Sequence, residues 1–577
     1  MKDRLCRKVR KTMKPSNGKK IAIFVGIAVV VFLGVFLGIT LTQDLGKSEE
    51  QITTEKAEQT LGNLLGSIKV ETVAARKSAI NDTDILSDEQ ELPDIKSYPL
   101  SVTGSGEINV EIFSSPEKAG TGTDGWLNEI AERFNSEMKT VNGKTVSVSV
   151  RSVSSGLALD YIKSGKYVPE ALSPSNEFWG SMLNAGGIKT TLIEKKLCGN
   201  VAGILLSKEK HSDMVSKYGS VNMKTVAEAT QSGDLLMGYT NPFVSSTGLN
   251  FLINTLYTYD ADDILSSTAA EGFRTFQENV PLVSYNTLQM RNAAESGSLD
   301  AMVMEYQLYV NDPTLKNNYV FTPFGVRHDN PLYAIGDLSK DKTDALKLFA
   351  QYCLSAESQS YAEACGFNQN EKYISELPDN ISGDKLLSAQ KFYKENKNSG
   401  RPIVAVFVAD VSGSMIGEPI NALKTSLINS MQYINKSNFV GLVSFSNKVS
   451  INLPIDKFDL NQQAYFKGAV EDLTANGSTA TYDAVIVALD MINKAKEQHP
   501  EAKPMIFLLS DGEQNVGHSL NEIDAVLKAY EVPVYTIGYN ANIDALKMIS
   551  QINEAATINA DSDDIVYKLK NLFNSEM

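Results

Sequence analysis

The hydrophobic pattern begins with one long block. Residues 21–41 read IAIFVGIAVVVFLGVFLGITL and carry no charge. A helix rises ~1.5 Å per residue, so this block spans a bilayer core of about 30 Å. Residues 1–20 hold nine Lys/Arg and one Asp, whereas Asp44, Glu49 and Glu50 follow the block. This asymmetry predicts a single-pass transmembrane helix with a cytoplasmic basic arm, and all later domains outside the cell. The apolar block is long for a signal peptide, and no Ala-x-Ala site follows it, so the expectation is an uncleaved anchor in the cell membrane.

Residues 42–105 are polar and acidic. A loose helical pattern runs over 50–77, and Pro93, Pro99 and Gly104 punctuate the rest. The segment reads as a stalk or linker.

Regular patterning resumes at 108–113, a strand. A Ser/Gly-rich loop leads to Trp126, Leu127, Ile130, Ala131 and Phe134 at helical spacing. Strands are predicted over 145–150, 201–206, 235–239 and 302–306, and a loop and strand over 323–333. Helices are predicted over 157–166, 222–232, 249–257 and 345–364. This alternation predicts an α/β domain over 106–395. Residues 383–401 are charged and Gly/Ser-punctuated, and read as the interdomain connector.

A second series fills 401–577. Apolar strands are predicted over 403–409, 439–445, 505–509 and 534–537. Helices alternate with them: one through Ile420, Leu423, Leu427, Met431 and Ile434, one over 484–492, one through Ile523, Val526 and Leu527, one through Ile543, Leu546, Ile549 and Ile552, and one over 562–573. The pattern predicts a doubly wound sheet with its site at the C-terminal strand edge.

Composition narrows the function classes. The 577-residue chain is 42% hydrophobic and 21% charged, with net charge −15. The basic arm contributes +8, so the remainder is −23 and excludes a nucleic-acid-binding body. Cys6, Cys198, Cys353 and Cys365 are too scattered for a disulfide framework or a zinc site. Cys353 and Cys365 read as buried thiols, with a bridge between them left open. His211, His328, His499 and His518 are isolated, and no nucleophile elbow, P-loop or zinc-protease motif occurs, so no enzyme is expected.

The strand 403–409 delivers Asp410, Ser412 and Ser414 onto a loop. Their i, i+2, i+4 spacing lets three oxygen-bearing side chains of an extended segment point one way. A Gly-Ser loop supplies Thr479, and the strand 505–509 ends near Asp511. Carboxylate and hydroxyl oxygens suit Mg²⁺, Ca²⁺ or Mn²⁺ rather than zinc or copper. Together these segments resemble the von Willebrand factor A domain and its metal-ion-dependent adhesion site. The resemblance implies that Asp410, Ser412, Ser414, Thr479 and Asp511 hold Mg²⁺, with Ca²⁺ or Mn²⁺ as alternatives. It also implies that one or both aspartates act through water, and that an Asp or Glu of a protein partner completes the shell. Ser478 stands where a second Gly is usual; being small, it is expected to do little harm.

The earlier domain resembles a two-lobed bacterial extracellular solute-binding protein of the type 2 periplasmic-binding-like class. The carriers are Ser114-Ser115 after the first strand, the loop Ser154-Ser155-Gly156, and the segment from Asn241 through Ser245-Ser246-Thr247 to Gly248. Two helix N-termini facing each other with these hydroxyls would cradle an oxyanion or a polar solute. The same Ser and Thr also suit plain helix caps. Two functions are therefore expected: cation-dependent gripping of an acidic protein partner, and reception of a small solute relayed or scaffolded by the A domain.

Overall fold

The computed structural model describes residues 54–80, 87–280, 282–284, 290, 299–378, 380–512, 514–539, 543–550, 552, 557–560 and 564–577. The expected basic arm 1–20, transmembrane helix 21–41 and the segment 42–53 lie outside the described residues, as does Cys6. Among the described residues no helix is long and apolar enough to cross a membrane. Met1–Ala57 is one unit, of which only the first turn of the helix Thr54–Ser67 is described. Glu58–Met577 is the other, and it contains both α/β domains.

The A domain is built on a seven-stranded sheet in the order Val70–Thr72, Val449–Lys457, Phe439–Phe445, Ile403–Asp410, Lys503–Ser510, Val534–Tyr539, Thr557–Ala560. Ile403–Asp410 is central, parallel to both neighbours and buried at every residue. Alternate side chains of a strand point to opposite faces. Ile403, Ala405, Phe407 and Ala409 therefore join one core layer, and Val404, Val406 and Val408 join the other. Helices Glu418–Ser430, Leu460–Glu471 and Ile565–Glu576 cover the first face. Helices Thr481–Gln498, Leu520–Tyr530 and Ile543–Ser550 cover the second. This is the doubly wound layering that the sequence pattern predicts. Among the strands, Val449–Lys457 and Thr557–Ala560 were not foreseen; the first runs antiparallel to Phe439–Phe445 and the second parallel to Val534–Tyr539.

The expected stalk is not a stalk over its described part. Leu61, Leu64 and Ile68 are buried in the second A-domain core layer. Val70–Thr72 adds a parallel edge strand beside Val449, Ser450 and Ile451. Arg76 pairs with Glu471 and Asp472. Its low overall hydropathy hides three well-spaced apolar residues that suffice to dock one helix. Residues 87–102 belong to the two-lobed domain: Leu100–Val102 is an edge strand, and Leu92 sits in its core.

The two-lobed domain has one sheet per lobe. The first runs Leu100–Val102, Lys144–Ser152, Ile108–Ser114, Ala171–Ser173, Leu332–Ile335, Thr190–Glu194, with Thr140–Val141 beside Lys144–Ser152. The second runs Leu282–Ser284, Met237–Thr240, Ala301–Glu305, Val201–Ser207, Tyr319–Arg327. The chain leaves the first sheet after Thr190–Glu194 and returns from Tyr319–Arg327 to Leu332–Ile335, so two crossings join the lobes. The helix predicted over 345–364 is two helices, Lys340–Cys353 and Ala356–Ala364, because Ser355 caps the second. The expected connector 383–401 is mostly the helix Gly383–Asn396, capped by Ser382, with Leu386, Ala389 and Tyr393 buried in the two-lobed core. Its charged residues alternate with an apolar stripe, which composition alone obscures. Cys198, Cys353 and Cys365 are buried free thiols.

Candidate functional site

The metal-type residues gather at the C-terminal edge of the A-domain sheet. Asp410 ends the central strand and is fully buried. Its Oδ1 accepts from Ser412 N at 2.8 Å, and its Oδ2 accepts from Ser510 Oγ at 2.5 Å. Ser412 Oγ and Ser414 Oγ lie 2.9 Å apart, and Ser414 Oγ donates to Asp511 Oδ1 at 2.9 Å. Burial pushes the Asp410 carboxyl above the ordinary range; hydrogen bonds from Ser510 and Ser412 pull the other way, and the Asp511 charge adds to the rise. No Lys or Arg pairs with Asp410 among the described residues. A buried carboxylate beside a second carboxylate and two hydroxyls is a donor set that suits a hard divalent cation.

Thr479 sits on the adjoining loop. That loop is tied to the first by Gly413 N donating to Gly477 O at 2.8 Å and Asn476 N to Val411 O at 2.7 Å. The Thr479 amide donates to Asn515 Oδ1, and its hydroxyl accepts from Asn515 Nδ2 at 3.5 Å. Asp410, Ser412, Ser414 and Asp511 thus form one hydrogen-bonded string, and Thr479 is its neighbour rather than a member. The Gly-Ser pair is explained by backbone. Gly477 has φ +82°, and a Cβ there would lie 2.1 Å from Asn447 Oδ1, whereas Ser478 has an ordinary φ. Sequence reasoning missed Ser510 and Asn515; the Ser directly before Asp511 was the available signal for the first.

The solute-type residues converge on a cleft of about 520 Å³ between the lobes. Ser115, Ser154, Ser155, Ser245, Ser246 and Thr247 line it. Ser114 does not; it is fully buried behind Ser115. Ser245 acts as a cap, accepting from Gly248 N at 3.3 Å. The others do different work. Ser246 Oγ accepts from Trp179 Nε1 at 2.8 Å and donates to Ser155 Oγ at 3.1 Å, joining the lobes. Ser115 Oγ accepts from Lys118 Nζ at 2.6 Å. The lobes also touch where Gly156 N donates to Val244 O at 3.3 Å.

Four carboxylates that line the cleft, Glu117, Asp124, Glu305 and Asp564, were not foreseen. Glu117 belongs to the first lobe, on the helix Pro116–Ala119, and Glu305 ends the strand Ala301–Glu305 of the second. Glu305 is 4% exposed and accepts from Asn200 Nδ2 at 2.6 Å, Thr247 Oγ1 at 3.3 Å and His328 Nδ1 at 2.8 Å. His328 Nε2 faces the amide Nδ2 atoms of Asn176 and Asn250 at 3.1 and 3.2 Å. Burial, then the charge of Glu305, lift the Glu117 carboxyl above its ordinary value. The sequence signals were Pro116-Glu117-Lys118 directly after the hydroxyl pair and a Glu closing an apolar strand.

The last A-domain helix reaches this domain. Asn571 O accepts from Asn241 Nδ2 of the second lobe at 3.1 Å. Lys570 pairs with Glu91, ahead of the first lobe, at 2.8 Å. Asp564 and Lys568, paired at 2.6 Å, line the cleft itself.

A doubly wound sheet whose central strand ends in Asp410, Ser412 and Ser414 defines an A-type domain. The family described as von Willebrand factor type A domain matches residues 405–574. Inter-alpha-trypsin inhibitor heavy chain H3 of Bos taurus is 31% identical over 159 residues, covering 25% of this chain and 18% of that one. The chain thus spans about a fifth of the length of that relative. Among solved structures, a von Willebrand factor type A protein from Catenulispora acidiphila is 19% identical, covering 30% of this chain and 42% of that one, with a TM-score of 0.28. Iron-bound HitA from Pseudomonas aeruginosa is 14% identical, covering 51% of this chain and 99% of that one, with a TM-score of 0.36.

Proposed function

We propose that this protein is a membrane-anchored, cell-surface binding protein, with residues 21–41 as its anchor. Its A domain holds a divalent cation through Asp410, Ser412, Ser414, Thr479 and Asp511 and grips an Asp or Glu of a protein partner. The carrying observation is the fully buried Asp410, which has no cationic partner among the described residues and lies beside Asp511 and two hydroxyls. Mg²⁺ suits these oxygens best, with Ca²⁺ and Mn²⁺ as the alternatives. A bound cation supplies positive charge and an open coordination position. The chain's own residues set the rest: Ser510 fixes the Asp410 carboxylate, and Ser412 and Ser414 bring neutral oxygens that add no negative charge beyond the two aspartates. The role is binding rather than catalysis.

The test is thermal unfolding with EDTA and then with Mg²⁺, Ca²⁺ or Mn²⁺, for the wild type and Asp410→Ala. A ligand of the native state raises stability with the logarithm of its concentration. The expected outcome is a cation-dependent rise that the variant lacks. No rise with any of the three cations would overturn the proposal.

A second reading accompanies it: the two-lobed domain is a receptor for a small polar solute. The observation favouring it is the cleft of about 520 Å³, a size usual for small-molecule sites, lined by hydroxyls from both lobes.

A further inference from the structure

The resemblance suggests an oxyanion for the cleft, but its charges argue otherwise. Helices Ser155–Ser164 and Ser246–Tyr259 do begin there. A helix N-terminus is worth about half a positive charge, so two supply about one. Against them stand the carboxylates of Glu117, Glu305 and Asp124. Glu305 is held by an amide, a hydroxyl and an imidazole, and no Lys or Arg pairs with it among the described residues. Lys118, whose charge acts on Glu117 and Glu305, offsets only one of these charges. It is fully buried behind Ser115, with its Nζ turned to Ser115 Oγ and Ser173 O, and burial lowers its affinity for a proton. Lys568 is already paired with Asp564. The cleft is therefore negative, and its two lobes each bring a carboxylate toward the other.

A bare metal ion is poorly served, because both Glu305 oxygens are already hydrogen-bonded to Asn200, Thr247 and His328. The volume is also that of an organic molecule, and Leu157, Val244 and Leu308 give it apolar walls. A molecule with an apolar body and an ammonium group matches both features, since the three N–H groups of a primary ammonium can donate to both carboxylates and a hydroxyl oxygen around one charge.

We propose that the cleft binds a small organic cation, its ammonium group held between Glu117 of one lobe and Glu305 of the other, with Asp564 of the A domain forming part of the wall. The inference rests on the reading of the two-lobed domain as a solute receptor, and it names the charge of the solute and the A-domain side chain that senses it. Asp564 opens the helix that also contacts Asn241 and Glu91 through Asn571 and Lys570. Occupancy and the position of that helix are therefore linked, and the linkage is reciprocal.

The experiment is calorimetric titration of the purified full chain with 1,4-diaminobutane and with choline, and in parallel with sulfate and molybdate. Binding of at least one ammonium probe and of neither oxyanion is expected. Glu117→Gln and Glu305→Gln should each weaken the ammonium probe at least tenfold, and Asp564→Asn severalfold. Glu305 sits in a buried network, so the half-buried Glu117 gives the decisive variant if Glu305→Gln unfolds. Oxyanion binding without ammonium binding would overturn the inference and leave a solute receptor standing. Binding by none of the probes would count against both. Ammonium binding that Glu117→Gln or Asp564→Asn leaves unchanged would also overturn the proposed site.

Discussion

Ser414 Oγ donates to Asp511 Oδ1 at 2.9 Å across 97 positions of sequence. The bond ties the loop after the central strand to the end of the neighbouring strand, and Ser510 makes a matching tie to Asp410. The candidate centre is thus held partly by bonds between its own proposed ligands and partly by Ser510, one step outside them. Removing such an outer hydrogen bond typically weakens metal affinity 10–100-fold. Ser510→Ala should therefore lower the affinity for Mg²⁺ by about that factor, read as a displaced midpoint when thermal stability is titrated with Mg²⁺, while the EDTA-treated variant stays folded.

The docked segment before the lobes should matter to the A domain. Leu61 is 6% exposed and packs in the layer containing Val404, Val406 and Val408. Leu61→Ala should destabilise the A domain by about 2–3 kcal/mol, at the low end for a buried leucine. Urea unfolding followed by far-ultraviolet circular dichroism measures it; a loss under about 0.5 kcal/mol would show that the segment is not part of the core.

Lys503 predicts a pH effect. It borders the A-domain sheet, where burial, with Arg401 adding, pushes its ammonium down to about 8, against opposing pulls from Glu576 and Glu278. The unfolded chain binds this proton up to about pH 10.4. Between about pH 8 and 10.4 the unfolded state holds more of it, so this group makes stability rise with pH, and its full penalty is present below about pH 8. Lys503→Gln should be more stable than the wild type at pH 7 by roughly 1–3 kcal/mol, with the gain shrinking toward pH 10. Melting curves of both proteins across that range decide it.

Gly156 lies where the backbones of the two lobes come close, its N donating to Val244 O at 3.3 Å. A Cβ there would lie 2.1 Å from Phe243 O and 2.6 Å from Val244 Cα, both backbone atoms that have little room to yield. Gly156→Ala should open the two-lobed domain, raising the radius of gyration in solution scattering at a cost of about 1–3 kcal/mol. An unchanged scattering curve would mean that the contact relaxes locally.

Legibility in the sequence followed distance along the chain. Asp410, Ser412 and Ser414 could be read because they lie on one loop after an eight-residue buried strand. Six of the seven predicted cleft hydroxyls line the cleft because each opens a helix or follows a strand, positions that topology sends to sheet edges. Glu117 and Glu305 were illegible because a lone carboxylate has no pattern until folding sets it opposite another. Val70–Thr72 was missed for a related reason: three residues make no periodicity, and the partner strand begins at Val449. The helix Gly383–Asn396 was misread because exposed charges at Asp384, Lys385 and Lys391 outweighed the apolar spacing of Leu386, Ala389 and Tyr393.

The docking of 58–80 onto the A domain also fixes a load path. Tension applied to the chain ahead of Glu58 and resisted by something gripped at Asp410 and Asp511 runs through the edge strand Val70–Thr72, across Val449–Lys457 and Phe439–Phe445, into the central strand. Both points of attachment lie on the same sheet. The two crossings between the lobes stand outside that line, so a tether pulled taut would strain the A domain while leaving the cleft mechanically slack.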